Sequence, residues 1–187
     1  MCGYPPRDLL LQPDFVTSSY ATAKSLKVGI PILVGAPIPP EDDRYLPGNG
    51  VVRAGDLHAS PNGDNTNRVV ARKQLLPSYD VFDETRYFSP ASRSGICRSI
   101  GEVDLGVTIC EDAWQAAGLT PSTYGQDPIA SLAEWGRQGI LLDATVNLSA
   151  SPYHADKLSS RIKVCRTAAE VLPVSYTHLT LPTISDV

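Results

Sequence analysis

Apolar runs of strand length alternate along this chain with stretches of helix length, and that alternation makes an α/β domain the expected architecture. Pro13-Asp14 opens a helical stretch to about Lys27, with Phe15, Val16, Tyr20, Ala23 and Leu26 at helix-like intervals, and Gly29 ends it. Ile30 to Pro37 is a short apolar run bounded by prolines, as a buried strand would be. Val51 to His58 and Arg68 to Lys73 flank the turn-rich cluster Ser60-Pro61-Asn62-Gly63-Asp64 and read as a hairpin with Lys73 at its end. Glu102 to Cys110 is rich in Val, Leu and Ile and stops at Glu111-Asp112, which puts Cys110 at a strand's C-terminal tip. Asp127 to Gln138 reads as a helix ending at Gly139, and Ile140 to Leu148 as a strand. Asp156 to Val171 carries Leu158, Ile162, Cys165 and Ala169 at spacings of three and four, the pattern of a helix with one apolar face.

A chain of 187 residues is long enough for one domain with a sizeable core. No apolar run approaches the roughly 20 residues that a bilayer crossing requires, so no membrane association is expected. The net charge is −4 and the 16 Lys and Arg are scattered, which leaves no basic stripe for a phosphate backbone and speaks against nucleic acid as a partner. The start, Met1-Cys2-Gly3-Tyr4, has no basic and apolar regions of an export signal, and a cytoplasmic location is the expectation. Cysteines at 2, 97, 110 and 165 form no CxxC pair and no Cys/His cluster, so free thiols and no structural metal are expected, with Cys97 and Cys165 assigned to packing. Trp114 and Trp135 are likewise read as packing residues.

A lone intracellular Cys is most often a small buried hydrophobe. A strand-to-loop corner changes that balance for Cys110, because such a corner exposes a side chain and offers backbone N–H groups to an oxyanion. A histidine base is poorly supported: His58 lies in the hairpin, His154 precedes a helix and His178 falls in an irregular tail. An ammonium and a carboxylate can also activate a thiol, and Lys73 and Glu84 are the candidates, each with the plain alternative of a solvated charge.

The string RKQLLPSYDVFDETRYF from Arg72 closely resembles the lysine segment of the nitrilase superfamily, in the form found in glutamine-dependent NAD synthetases. GYPPRDLLLQPDF from Gly3, GVTICEDAW from Gly106 and NLSASPYHADK from Asn147 agree with it in order. The resemblance spans residues 3 to about 173 and implies an α/β fold of the nitrilase type, an α-β-β-α sandwich, here incomplete with its first strand and helix missing. It implies a Glu-Lys-Cys triad in which Cys110 is the nucleophile, Lys73 stabilises charge on the amide oxygen and Glu84 orients Lys73. Tyr79, Ser151 and Lys157 match family positions that hold L-glutamine, Lys157 serving the α-carboxylate or nearby polar groups. The implied reaction is hydrolysis of glutamine's side-chain amide through a γ-glutamyl thioester. The implied partner is a C-terminal NAD synthetase domain that uses the ammonia to amidate deamido-NAD, with ATP and Mg2+ in that domain, no cofactor in this one, and a homo-oligomer when full length.

Two departures from the family pattern accompany it. The triad's general-base glutamate belongs a few residues upstream of Gly3, where only Met1 and Cys2 stand. Loss of a general base is worth about 10²–10⁴-fold in rate, so the chain as it stands is expected to be inactive, and the sheet edge left open by the missing strand is expected to make it poorly soluble. Residues 174–187, with VSYTHLTLPT from Val174, break the preceding order and resemble a translated sequencing adapter, against the alternative of a genuine C-terminal strand. The expected domains are therefore 1–173, a partial carbon-nitrogen hydrolase domain, and a non-native tail. A stand-alone amidase of the same superfamily and a catalytically dead binding module are the competing readings.

Overall fold

The computed structural model describes residues 3–40, 45–55, 69–93, 95–100, 103–121, 124–152, 156–172 and 174–183, without the side chains of 97–100, 152, 176 and 178–183. Two sheets lie between helices. The first has the order β1-β2-β3, with β1 (Pro31–Ile38), β2 (Gly48–Gly55) and β3 (Val69–Arg72) all antiparallel. The second has the order β4-β5-β6-β7, built from β4 (Gly95–Ile100), β5 (Val103–Ile109), β6 (Ala144–Pro152) and β7 (Ser175–Thr183). In it β4 pairs antiparallel with β5, while β5, β6 and β7 run parallel.

Three apolar clusters hold these layers together. Val51 and Ala71 of the first sheet meet Val107, Ile109 and Cys110 of the second, so the sheets face each other. α1 (Pro13–Ser25) covers the outer side of the first sheet, packing Ala23 on Val34, Ala36, Ile38 and Val52. α2 (Pro128–Arg137) and α3 (Lys157–Val171) cover the second through Ile129, Leu132, Val164 and Ala168, together with Ala113 and Trp114. The α-β-β-α order of the nitrilase sandwich is present. Gly106 lets this layer close: a Cβ there would stand 2.9 Å from Thr145 Oγ1 and 3.0 Å from Leu142 Cδ1.

Local signals act as read in α1 and α2. Both begin on proline, whose missing N–H is no loss in a first turn, and Asp127 caps α2 by accepting from the N–H of Ile129 and Ala130 at 3.0 and 3.1 Å. β1 and the β2–β3 hairpin also lie where expected, although the turn cluster at 60–64, like His58 and His154, is outside the described residues.

Three readings need correction, and the tail set apart by sequence has a place in the second sheet. The strand expected from Ile140 begins at Ala144, because the Asp143 N–H bonds Asp104 O while its carboxylate accepts the Asp104 N–H, ending the loop there. β4 was not read at all, since Gly-Ile-Cys-Arg-Ser-Ile alternates too weakly to stand out. The stripe Leu158, Ile162, Cys165, Ala169 is not the packed face of α3: Val164 and Ala168 are, and Leu158 and Ile162 are 56% and 47% exposed. Residues 175–183, set apart by sequence, pair with β6 over nine positions, since a β-prone Thr/Leu/Tyr run can occupy the open parallel edge that β6 offers.

Candidate active site

Two chain corners from different sheets supply the central groups. Lys73 follows the last residue of β3 and keeps the ladder going one step, donating its N–H to Asn49 O at 2.7 Å and accepting the Ala91 N–H at 2.9 Å. The residue is 1% exposed, and Nζ lies 2.6 Å from both oxygens of Glu84. Glu84 opens a short 3₁₀ turn, is 4% exposed, and also accepts a hydrogen bond from the Tyr4 hydroxyl. Burial alone would push the Lys73 ammonium down, but the charges of Glu84, Cys110 and Asp112 outweigh it and hold the group protonated.

Cys110 stands where β5 ends and a 3₁₀ turn, Cys110–Ala113, begins. Its φ of +49° lies in the left-handed region, which a non-glycine residue occupies under strain. The expected strand-tip position is thus present, but the expected exposure is not: the residue is 8% exposed, closed in by the facing sheet. Burial pushes the thiol's pKa up; Lys73 pulls it down, Glu84 and Glu111 push it further up, and a Ser149 hydrogen bond pulls it down. The net direction is up, burial outweighing the pull of Lys73.

A polar ladder on β6 runs beside the sulfur. Asn147 Nδ2 donates to Cys110 O at 3.3 Å and to Thr108 Oγ1 at 2.9 Å, and Ser149 Oγ donates to Asn147 Oδ1 at 2.7 Å. Ser151, on the same face two residues on, accepts from Arg161 at 2.9 Å. Lys157, one turn before Arg161 on α3, holds its ammonium 5.2 Å from the centre of the Trp114 ring. On the other side Tyr79 donates to Glu111 Oε1 at 2.7 Å, and Tyr124 reaches the same oxygen at 3.4 Å. Burial raises the pKa of Glu111, opposed by the Tyr79 hydrogen bond and Lys73.

The structure brings Lys73, Glu84 and Cys110 together as one buried group, and holds Tyr79, Ser151 and Lys157 in contacts of their own with Glu111, Arg161 and Trp114. Sequence reasoning missed Tyr4, Glu111, Asp112, Asn147, Ser149 and Arg161. The signal was an acidic pair, Glu111-Asp112, closing an apolar strand: it was taken as a stop, yet both are buried, at 5% and 2% exposure. Cys165 is a half-buried free thiol on α3, and the side chain of Cys97 lies outside the described residues. Among the described residues no three His, Cys, Asp or Glu side chains are grouped to hold a metal ion, and no helix is long and apolar enough to cross a membrane.

Comparison with known proteins gives a consistent picture. No family model matches the chain. It is 35% identical over 168 residues to a glutamine-dependent NAD(+) synthetase of Synechocystis, covering 84% of this chain and 27% of that one. A second such synthetase, from Thermotoga maritima, is 36% identical over 160 residues, covering 83% and 23%. The chain therefore spans about a quarter of the length of the curated relatives it matches. Among solved structures, the glutamine-dependent NAD+ synthetase of Acinetobacter baumannii superposes with a TM-score of 0.68 at 24% identity, over 95% of this chain and 29% of that one. An amidase from Nesterenkonia sp. AN1, solved as a mutant with acrylamide added at its active-site cysteine, superposes at 0.61 with 17% identity, over 95% and 60%. These likenesses bear out the sandwich fold and the resemblance read from the four motifs.

Proposed function

We infer that this chain, a homologue of the glutamine-dependent NAD(+) synthetases over about a quarter of their length, is part of a carbon-nitrogen hydrolase that releases ammonia from the side-chain amide of glutamine. The observation that carries the reading is the buried Lys73–Glu84 pair acting on the Cys110 thiol at the junction of the two sheets. Cys110 Sγ attacks the amide carbon, the carbonyl π electrons move onto oxygen, and Lys73 stabilises that negative charge. The oxyanion then collapses, the carbon–nitrogen bond breaks, the nitrogen takes a proton and leaves as ammonia, and water hydrolyses the thioester to glutamate. Glu84 and Glu111 already accept bonds from Lys73 and Tyr4, and from Tyr79 and Tyr124. The thiol proton has to pass through a general base to the leaving nitrogen, and the motif resemblance places that base ahead of Gly3, outside the groups this chain supplies.

The ends of glutamine match the charges on either side. Ser149 and Ser151 are separated by roughly 6.6 Å along β6, and the amide carbon and α-carboxyl carbon of extended glutamine are about 5 Å apart across four carbon–carbon bonds. With the amide at Cys110, the carboxylate reaches Ser151 and the cations Lys157 and Arg161, and Glu111 with Tyr79 faces the α-ammonium. That pairing of an anionic and a cationic subsite favours glutamine over the small neutral amides of a stand-alone amidase. On this reading residues 1–173 are the hydrolase part and residues 174–187, of which Ser175–Thr183 pair as β7, are foreign to it. The location is cytoplasmic, and an NAD synthetase domain using ATP and Mg2+ consumes the ammonia in the full-length protein.

The test is labelling of the 187-residue chain with a glutamine analogue bearing an electrophilic ketone in place of the amide, read by mass spectrometry. A single adduct on Cys110, slowed by glutamine but not by butyramide, is expected. Equal labelling of Cys165, or protection by butyramide alone, would overturn the reading.

A further inference from the structure

The corners that carry Lys73 and Cys110 are joined by one buried carboxylate. Asp112 Oδ1 accepts the main-chain N–H groups of Gln74 and Leu75 at 3.0 and 2.9 Å. Its Oδ2 accepts the N–H of Ile109 at 3.2 Å. The Gln74 N–H belongs to the peptide that leaves Lys73, and the carbonyl of that peptide accepts from Ala91, so its plane is held at both ends. Ile109 is the residue before Cys110, and its N–H fixes the entry to the strained φ of the nucleophile. A single side chain, 2% exposed, thus ties the backbone beneath the amine to the backbone beneath the sulfur.

We propose that Asp112 is a positioning residue for the thiol chemistry: its carboxylate fixes the Lys73 amine relative to Cys110 Sγ, and so sets how readily the thiol ionises. This rests on reading Cys110 and Lys73 as nucleophile and charge partner. A carboxylate suits the task because it is acceptor-only, with two oxygens that take three N–H groups from two segments at once. Asparagine in its place turns an NH2 toward one corner, donor against donor, and that corner must move. Since the influence of Lys73 on the sulfur depends on their separation, such a movement changes the thiol's acidity as well as the stability of the fold.

The test uses Asp112→Asn in the 187-residue chain, with the rate of Cys110 alkylation by iodoacetamide followed against pH and unfolding in urea followed in parallel. The pH midpoint of alkylation should rise by about one unit or more, which is about a tenfold slower reaction at any pH below it. Lys73→Met should raise the midpoint too, and adding Asp112→Asn to Lys73→Met should move it no further. An unchanged pH profile in Asp112→Asn, with only the unfolding midpoint lowered, overturns the proposal in favour of a purely structural link. Additive shifts in the double variant also overturn it, because the carboxylate would then act on the thiol directly. A Lys73→Met variant with the wild-type profile overturns the lysine reading and this proposal with it, and which variant is silent tells the two failures apart. If Asp112→Asn does not fold, Asp112→Ser, smaller and able to accept as well as donate, takes its place. If neither folds, the carboxylate is a folding requirement and the proposal fails.

Discussion

Cys110 holds its sulfur in surroundings that oppose ionisation as much as they assist it. Burial and two nearby carboxylates favour the neutral thiol, while Lys73 and Ser149 favour the thiolate. Glu111 belongs to the first set, and it is also the acceptor that would meet the α-ammonium of glutamine. Glu111→Gln separates these roles. A hydrogen bond to a charged group is worth about 1.5–3 kcal/mol, so the glutamine concentration giving half-protection of Cys110 should rise about tenfold or more. Alkylation by iodoacetamide, which carries no ammonium, should be unchanged or faster, since one cause holding the thiol up is gone. Equal glutamine protection in the variant would show that Glu111 does not meet the substrate. At this scale residue type left Cys110, Lys73 and Glu84 each with a plain structural alternative, and the motif resemblance was what singled them out. It did not show Asn147, Ser149 or Arg161, whose importance comes from which strand or helix face they share.

At the scale of elements, α3 shows where periodicity misleads. Two faces of this helix carry apolar residues, Leu158-Ile162-Cys165-Ala169 and Val164-Ala168, and only contact with α2 and the turn after Cys110 decides between them. The longer stripe lost because Arg161 faces Ser151, which turns the helix so that Val164 and Ala168 point inward. Val164→Ala should cost about 2 kcal/mol, for a buried aliphatic side chain cut back in a packed layer. Ile162→Gln, at an exposed position, should change stability by no more than about 0.5 kcal/mol. Urea unfolding of both variants checks the pair, and a larger loss from Ile162→Gln would mean that the stripe is packed after all. α1, α2 and β5 were legible for a reason the packed face of α3 lacked: proline starts, an Asp cap and a run rich in Val, Leu and Ile signal position without reference to neighbours.

For the molecule as a whole, the two-sheet arrangement has an energetic cost that can be measured. Facing sheets close Lys73, Glu84, Cys110 and Asp112 into one buried layer, where the Lys73–Glu84 pair has to offset the cost of burying charge. Asp112 carries that cost visibly. Burial pushes its pKa from 3.8 to about 7, against the opposing pull of the Leu75, Gln74 and Ile109 N–H groups and of Lys73. A carboxyl whose folded pKa lies above its unfolded value contributes stability that is fully present below about pH 4 and is lost as pH rises through about 7. A shift of this size corresponds to a loss on the order of a few kcal/mol across that window. Other carboxylates titrate over the same range, so the quantity to follow is the unfolding free energy of the wild type minus that of Asp112→Asn, in urea, from pH 4 to 8. That difference should favour the wild type most at pH 4 and shrink steadily toward pH 7, levelling off above it. A difference that grows with pH would mean the three N–H bonds and Lys73 more than repay the burial, and that the ionised carboxylate holds the fold together. The expected slope instead describes a charge that the fold tolerates at neutral pH because the junction between its two sheets is where the amine and the sulfur have to meet.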